Sequence, residues 1–482
     1  MNRTSLALRA ALAIGLMVGF YALAFAVAGG LAFLAYEDAI SSHPNLRLLV
    51  LCALAASSIL WSIVPRFDRF QAPGPELDAA SQPDLFAEIA DIARATGQPM
   101  PASVFLVGDI NAFVTQRGGI MGIGSQRVMG IGFPLLLILT VPELRAVLAH
   151  EFGHFHGGDT RLGPWIYKTR QAIGRTLARL RGGWLRMPFL GYGRIFLLVT
   201  NAMSRRQELA ADALAARIAG ASHLVAGLKK TSAGRPIYDL YFRQTLQPLL
   251  ARGFLPPIAE GCSRFFAQER IARAMDKTLE KSLEQSKQNP YDSHPPLRDR
   301  IAAVQAVADA TPAANARPAV SLLADVASVE RRWLASVATK GRVDTLQAIA
   351  WEAVADRAYL PSWLEAVTKN RAVLDGATIA DFVRIVADAP QLAAQLSPSD
   401  RADAQAQITL VRRLAAMSTL LALARAGWVL DASPGAAVTA QHQNMRLAPF
   451  DLLEHVANGS LSDERWRADA DKAGIAALPL VP

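Results

Sequence analysis

The sequence predicts a mostly α-helical protein with a small β-sheet. It divides into an N-terminal two-helix membrane hairpin over residues 1–70, an α+β domain over 71–310 and a helical C-terminal region over 319–482. Three observations predict this. Two long uncharged apolar runs lie within the first 70 residues; capped amphipathic segments alternate with short apolar stretches and glycine-marked turns in the middle; and an Ala- and Leu-rich tail of helical periodicity follows. The chain has 482 residues, 52% of them apolar and only 19% charged, with a mean hydropathy of +0.21. Such a composition excludes a disordered chain and provides for more than one core.

Ala10 to Tyr36 is uncharged over 27 residues, between Arg9 and Glu37. Leu48 to Pro65 is uncharged over 18, between Arg47 and Arg66. A helix needs about 20 apolar residues to cross a bilayer, so both runs are long enough. The first is too long for the apolar region of a cleaved signal peptide, and a second run follows it closely, which favours a hairpin of two spans. Arg3 and Arg9 precede the hairpin, Arg66 and Arg69 follow it, and Glu37 and Asp38 lie in the connection ahead of Arg47. The positive-inside rule places both ends of the hairpin, and everything after residue 70, on the cytoplasmic side of an inner or plasma membrane. Cys52 and Cys262 are too few for a disulfide framework, as that compartment requires.

Gln71 to Pro75 (QAPGP) reads as a linker. Ser81 to Gly97 carries Leu85, Phe86, Ile89 and Ile92 at helical spacing, with Gly97 as the stop. Residues 102–107 read as a strand. Residues 111–132 read as short strands with tight turns at Gly118, Gly119, Gly122, Gly124, Gly130 and Gly132. The run G-I-G-S-Q-R there is not a nucleotide fingerprint, because no helix opens behind it. Ala308 to Pro318 is a second linker, and the tail beyond it carries no chemical motif and no internal repeat.

The chemistry lies in Leu139–Gly158, LTVPELRAVLAHEFGHFHGG. Thr140 and Glu143 form a capping box, Pro142 sits in the permitted first turn, and Gly157 and Gly158 supply a stop. His150 and His154 are one helical turn apart on one face, where both imidazoles can share a tetrahedral cation. Glu151 is rotated about a third of a turn away, within reach of a water molecule rather than of the ion. With only 8 His in the chain, a chance H-E-x-x-H arises in roughly one such sequence in two hundred. His156 lies on the opposite face and is not a ligand. One zinc ion per chain is therefore expected, and two His leave it short of a third protein ligand. Ser204 to Ala213 (SRRQELAADA) offers one: Ser204 and Gln207 read as a capping box, Glu208 as the ligand, and Asp212, one turn on, as the carboxylate that orients a ligating His.

The helix LRAVLAHEFGHFHGGD, the later SRRQELAADALA and the segment SHPPLRDRIAAV together resemble the zinc metallopeptidases of the HtpX heat-shock and CAAX prenyl endopeptidase type, over about residues 70–310. The paired N-terminal spans are similar to the HtpX branch. The resemblance implies a zincin-like catalytic domain with His150, His154 and Glu208 on zinc and Glu151 as general base. It implies an edge strand at Asn111, Ala112 and Phe113 to which an extended substrate adds by main-chain hydrogen bonds. It also implies that His294 and Arg300 contact substrate or the developing oxyanion. A simple Asn turn and a surface His-Pro loop are the plain alternatives. The extension beyond residue 318 is not explained by the resemblance.

The formal net charge of +9 has a single source. Thr160 to Gln207 has no acidic residue and ten basic ones (Arg161, Lys168, Arg170, Arg175, Arg179, Arg181, Arg186, Arg194, Arg205 and Arg206), so the rest of the chain sums to −1. Interleaved with Trp165 and Ile166, this charge reads as a helix on the anionic cytoplasmic leaflet, followed by an apolar segment, 187–203, packed near the cleft. No recognition fold accompanies it, which excludes nucleic acid as the partner. The function expected is a membrane-anchored zinc endopeptidase acting on membrane or membrane-proximal proteins in quality control. A catalytically idle zinc scaffold and a prenyl-protein processing protease remain the alternatives. The natural substrate and the oligomeric state are not legible.

Overall fold

A computed structural model describes residues 3–64, 70–118, 124–155, 163–180, 183–284, 289, 291–307, 317–338, 343–396 and 403–481. Arg66, Arg69, Gly119, Gly122, His156, Gly157, Gly158, Arg161, Arg181 and the linker from Ala308 to residue 316 lie outside them. The chain is mostly helical with small sheets, and it falls into two compact units that interleave in sequence: residues 1–235 with 276–337, and residues 236–275 with 338–482.

The first unit opens on α1 (Arg3–Ala39) and α2 (Leu46–Ile63), which pack against each other. Asn45 caps α2 by accepting from the N–H groups of Arg47 (3.1 Å) and Leu48 (3.3 Å), while Asp38 accepts from Asn45 N–H at 2.9 Å and so fixes the connection. Phe20, Ala24 and Ile59 are buried between the helices. Phe25, Phe33, Leu51 and Leu54 stand exposed on the outside, an arrangement stable only in an apolar surrounding.

A four-stranded sheet follows. Its strands are β1 (Glu76–Leu77), β2 (Ser103–Val107), β3 (Ala112–Arg117) and β4 (Gln126–Gly132), in the order β1-β2-β4-β3. β2 and β4 are parallel, as a connection through β3 permits, and β3 is antiparallel to β4; among the described residues no strand pairs with its other edge. Gly118 and Gly124 have positive φ, 82° and 74°, as tight turns require. Gly130 and Gly132 differ from the expectation because they lie inside β4. A side chain at Gly130 would strike the Phe113 ring, and one at Gly132 the carbonyl of Asp109. Close approach rather than turning accounts for both.

Helix α3 (Pro83–Thr96) ends on Gly97 at φ 66° and buries Leu85, Ile89 and Ile92 completely against the neighbouring layer. After α4 (Phe133–Ile138) comes α5 (Val141–Gly153), whose N-terminus is fixed when Glu143 accepts from Thr140 N–H at 2.8 Å. Then follow α6 (Gly163–Arg179), α7 (Arg186–Ala219) and α8 (Ala221–Tyr241).

Helix α7 corrects two expectations. Its 34 residues run unbroken through position 204, so Ser204 is no cap; its hydroxyl donates instead to the Thr200 carbonyl, one turn back, at 3.2 Å. The apolar segment 187–203 does not sit at the cleft. Phe189 and Phe196 join Ala172, Ile173 and Leu180 in a core shared with Phe20, Ala24 and Ile59 of the hairpin. Tyr192 donates to the Leu16 carbonyl at 2.6 Å, and the Ser62 and Thr176 hydroxyls meet at 2.7 Å. Burial of one apolar face wins over the weak helix propensity of Gly191 and Gly193.

In the second unit, a three-stranded sheet (Val429–Asp431, Thr439–His442, Met445–Leu447) flanks a set of short helices. These surround Ala404–Arg425, where Leu414, Leu420 and Leu423 are fully buried. That helix is long and apolar enough to cross a membrane, but its buried faces make it the core of this unit. Cys262 is also fully buried here, and burial alone pushes its thiol far above the ordinary range. Thiol reagents at pH 8 should leave Cys262 unlabelled in the folded protein and label it after denaturation; mass spectrometry of the Cys262 peptide decides.

Candidate metal centre

Helices α5 and α7 pack closely because Gly153 carries no side chain; a Cβ there would lie 3.0 Å from Ala211 Cα. This contact brings the sequence-predicted residues together. His150 Nε2 lies 3.6 Å from Glu208 Oε2, and His154 Nε2 lies 3.6 Å from Glu208 Oε1. The two imidazole centroids are 4.7 Å apart. Ligand atoms at zinc–nitrogen distances on a tetrahedron stand about 3.4 Å from one another, so the spacing suits an ion at their centre. One ligand atom each from His150, Glu151 and His154 also falls within 4.8 Å of the others. Glu208 Oε2 is buried without a hydrogen-bond partner. A buried, orphaned carboxylate oxygen beside two imidazoles is what a cation would satisfy, so the donor set fits the expected metal.

The surroundings orient these donors. Asp212 Oδ1 lies 2.9 Å from His150 Nδ1, which turns Nε2 toward Glu208. Arg300, from the helix Leu297–Gln305, donates Nε and one Nη to the two oxygens of Asp212 at 2.8 and 2.7 Å. The Nη that meets Asp212 also lies 3.4 and 3.5 Å from the two ring nitrogens of His150, and the other Nη is 3.6 Å from Glu208. His294 stands exposed at the rim with Nδ1 3.2 Å from Glu208 Oε1. Asn111 precedes edge strand β3, where Ala112 pairs with Ile131 and Phe113 with Gly130. β3 packs against α5 and so lies beside the motif helix.

The electrostatics follow from these contacts. Burial disfavours a charged His150, but the carboxylates of Asp212, at 2.9 Å, and Glu208, at 3.6 Å, outweigh it and hold its pKa up at about 9. His154 has no such partner, and burial with the neighbouring His150 presses it down to about 4. Burial would raise Glu208 and Asp212, but His150 and His294 on the first, and Arg300 and His150 on the second, keep both below the carboxylate range. Burial pushes Glu151 up to about 7, against the pull of His150. Two carboxylates in one site are thereby separated, one held ionised and one poised near neutrality.

No local pattern marks the contact between Arg300 and Asp212, 88 positions apart, or the approach of α8 to α5 at Gly227.

Residues 79–308 match the model of peptidase family M48. Proteins named Protease HtpX are similar to this chain. The one from Idiomarina loihiensis is 27% identical over 223 residues, 41% of this chain and 75% of that protein. The one from Pseudomonas paraeruginosa is 25% identical over 291 residues, 54% of this chain and 87% of that protein. The one from Xanthomonas axonopodis pv. citri is 26% identical over 237 residues, 44% of this chain and 68% of that protein. No solved structure matches. The matched region holds the helices that build the donor set, and it lies downstream of two helices long and apolar enough to cross a bilayer; over residues 79–308 the chain is similar to peptidase family M48.

Proposed function

We propose that the chain is a zinc-dependent endopeptidase, held by a two-span hairpin with its catalytic domain in the cytoplasm, that cleaves membrane or membrane-proximal proteins in quality control. The observation that carries this reading is the convergence of His150, His154 and the unpartnered Glu208 oxygen beside the half-buried Glu151. His150, His154 and Glu208 hold the zinc, Asp212 fixes the His150 tautomer, and Arg300 holds Asp212 in place. A bound zinc supplies Lewis acidity toward the scissile carbonyl and lowers the pKa of water.

Glu151 accepts the proton of the attacking water and then passes it to the leaving amine. Its half-buried position, with desolvation raising its pKa to about 7, suits a group that must both take and return a proton. β3 receives the substrate as an added strand through Asn111, Ala112 and Phe113, and His294 at the rim donates to the developing oxyanion. Chelator-sensitive cleavage of casein by the purified protein tests the reading; cleavage unaffected by chelation would overturn it.

The bilayer is the second partner. Trp165, Trp184 and Met187 are exposed on α6 and around the start of α7, and Arg179 and Arg194 of these helices are exposed as well, a composition suited to a membrane interface. Arg170, Arg175 and Arg205 take no part in that, since they donate to Asn201, the Ser62 carbonyl and the Asp292 carbonyl. An environment-sensitive label on Trp184→Cys should report an apolar surrounding in anionic vesicles, and a fully aqueous spectrum there would refute lipid contact.

A further inference from the structure

Four side chains of α7 share one face at spacings of four, three and four: Asn201, Arg205, Glu208 and Asp212. All four meet the segment that runs from residue 291 to residue 300. Asn201 Nδ2 donates to the Tyr291 carbonyl and Arg205 Nη1 to the Asp292 carbonyl, both at 2.7 Å. Glu208 Oε1 lies 3.2 Å from His294 Nδ1, and Asp212 accepts from Arg300. The last two contacts belong to the metal centre; the first two anchor the chain that leads into it.

Burial does little to hold that leading chain. Tyr291, Asp292 and His294 are exposed, so hydrogen bonds decide where this stretch of backbone rests. Asp292 Oδ1 accepts from His294 N–H at 3.0 Å, tying the histidine to the residue that Arg205 holds. Asn201, by contrast, is only 1% exposed, inside a helix that asparagine supports weakly. Its amide accounts for its presence. Oδ1 accepts from Arg170 Nη2 of α6 at 2.8 Å, which leaves Nδ2 to face Tyr291. A leucine, alanine or aspartate could not accept on one side and donate on the other.

We infer that Asn201 and Arg205 are positioning residues for His294. Their two clamps on main-chain carbonyls set where its imidazole stands at the metal centre, and Arg170 sets the direction of the first clamp. The inference rests on the peptidase reading, in which His294 donates to the developing oxyanion.

Asn201→Asp separates this role from packing. The carboxylate keeps the shape and strengthens the bond from Arg170, but it turns an oxygen toward the Tyr291 carbonyl. In full-length protein in detergent, metal content and melting temperature should be kept. The kcat for labelled casein should fall about 10- to 100-fold with KM little changed, because a misplacement of about 1 Å costs up to about 10²-fold. Hydrogen exchange at residues 291–294 should quicken while α6 and α7 stay protected. Arg205→Met, at a partly exposed side chain, should act in the same direction. His294→Ala should itself lower kcat about 10²- to 10³-fold, and neither variant should lower it further in that background. An unchanged kcat, unchanged exchange, or an equal fall with and without His294 overturns the positioning role and leaves the peptidase reading intact. Metal-loaded wild type that leaves casein uncut overturns the peptidase reading, and the inference with it.

Discussion

Glu151→Gln should leave the purified protein with its full complement of zinc and lower peptide cleavage by about 10²- to 10⁴-fold, the usual range for loss of a general base. The substitution preserves size and hydrogen-bonding shape, and His150, His154 and Glu208 are untouched. It removes only the ability to accept a proton, which Glu151 holds ready by virtue of a pKa raised by burial to about 7. Metal analysis and casein cleavage on one preparation separate the two effects. Activity retained at the wild-type level would mean that the base lies elsewhere; loss of metal would mean that Glu151 is a ligand.

His154→Ala or Glu208→Ala should release the metal. Each removes one of three converging donors, and Glu208→Ala also leaves His150 and His294 without the carboxylate they face. Asp212→Ala should be milder, weakening metal affinity about 10- to 100-fold, as is usual when the group that orients a ligand is lost. This order, with Asp212 intermediate, is checked by competitive chelator titration. Stoichiometric zinc in His154→Ala would refute the assignment of the donor set.

The motif helix was legible because its signal is local. The period of 3.6 puts His150 and His154 on one face from sequence alone, and Thr140 with Glu143 marks where that helix starts. The strands around Gly118 and Gly124 were legible for the same reason. What failed were inferences in which local chemistry has two readings. Ser204 and Gln207 look like a cap, but the apolar face of residues 187–203 finds partners in the hairpin and the helix runs through. The basic residues of 160–207 read together as facing an anionic leaflet, yet Arg170 and Arg175 are spent on protein oxygens. The bond from Arg300 to Asp212 was hidden for a different reason: nothing in the neighbourhood of Arg300 names a partner 88 residues away. The interleaving of the two compact units was equally hidden, since linker composition marks where a chain is exposed rather than which segments later return to which core.

Helix α7 has one further consequence. Phe189 is seated beside Phe20 of the hairpin, with ring centroids 6.4 Å apart, while Glu208 stands nineteen residues along the same helix, about 28 Å away at 1.5 Å per residue. A continuous α-helix does not bend freely over that length, so a tilt at one end is a displacement at the other. The hairpin therefore serves as a bearing as well as a tether. Removing residues 1–70 should disturb the position of Glu208 as well as detach the rest of the chain from the hairpin.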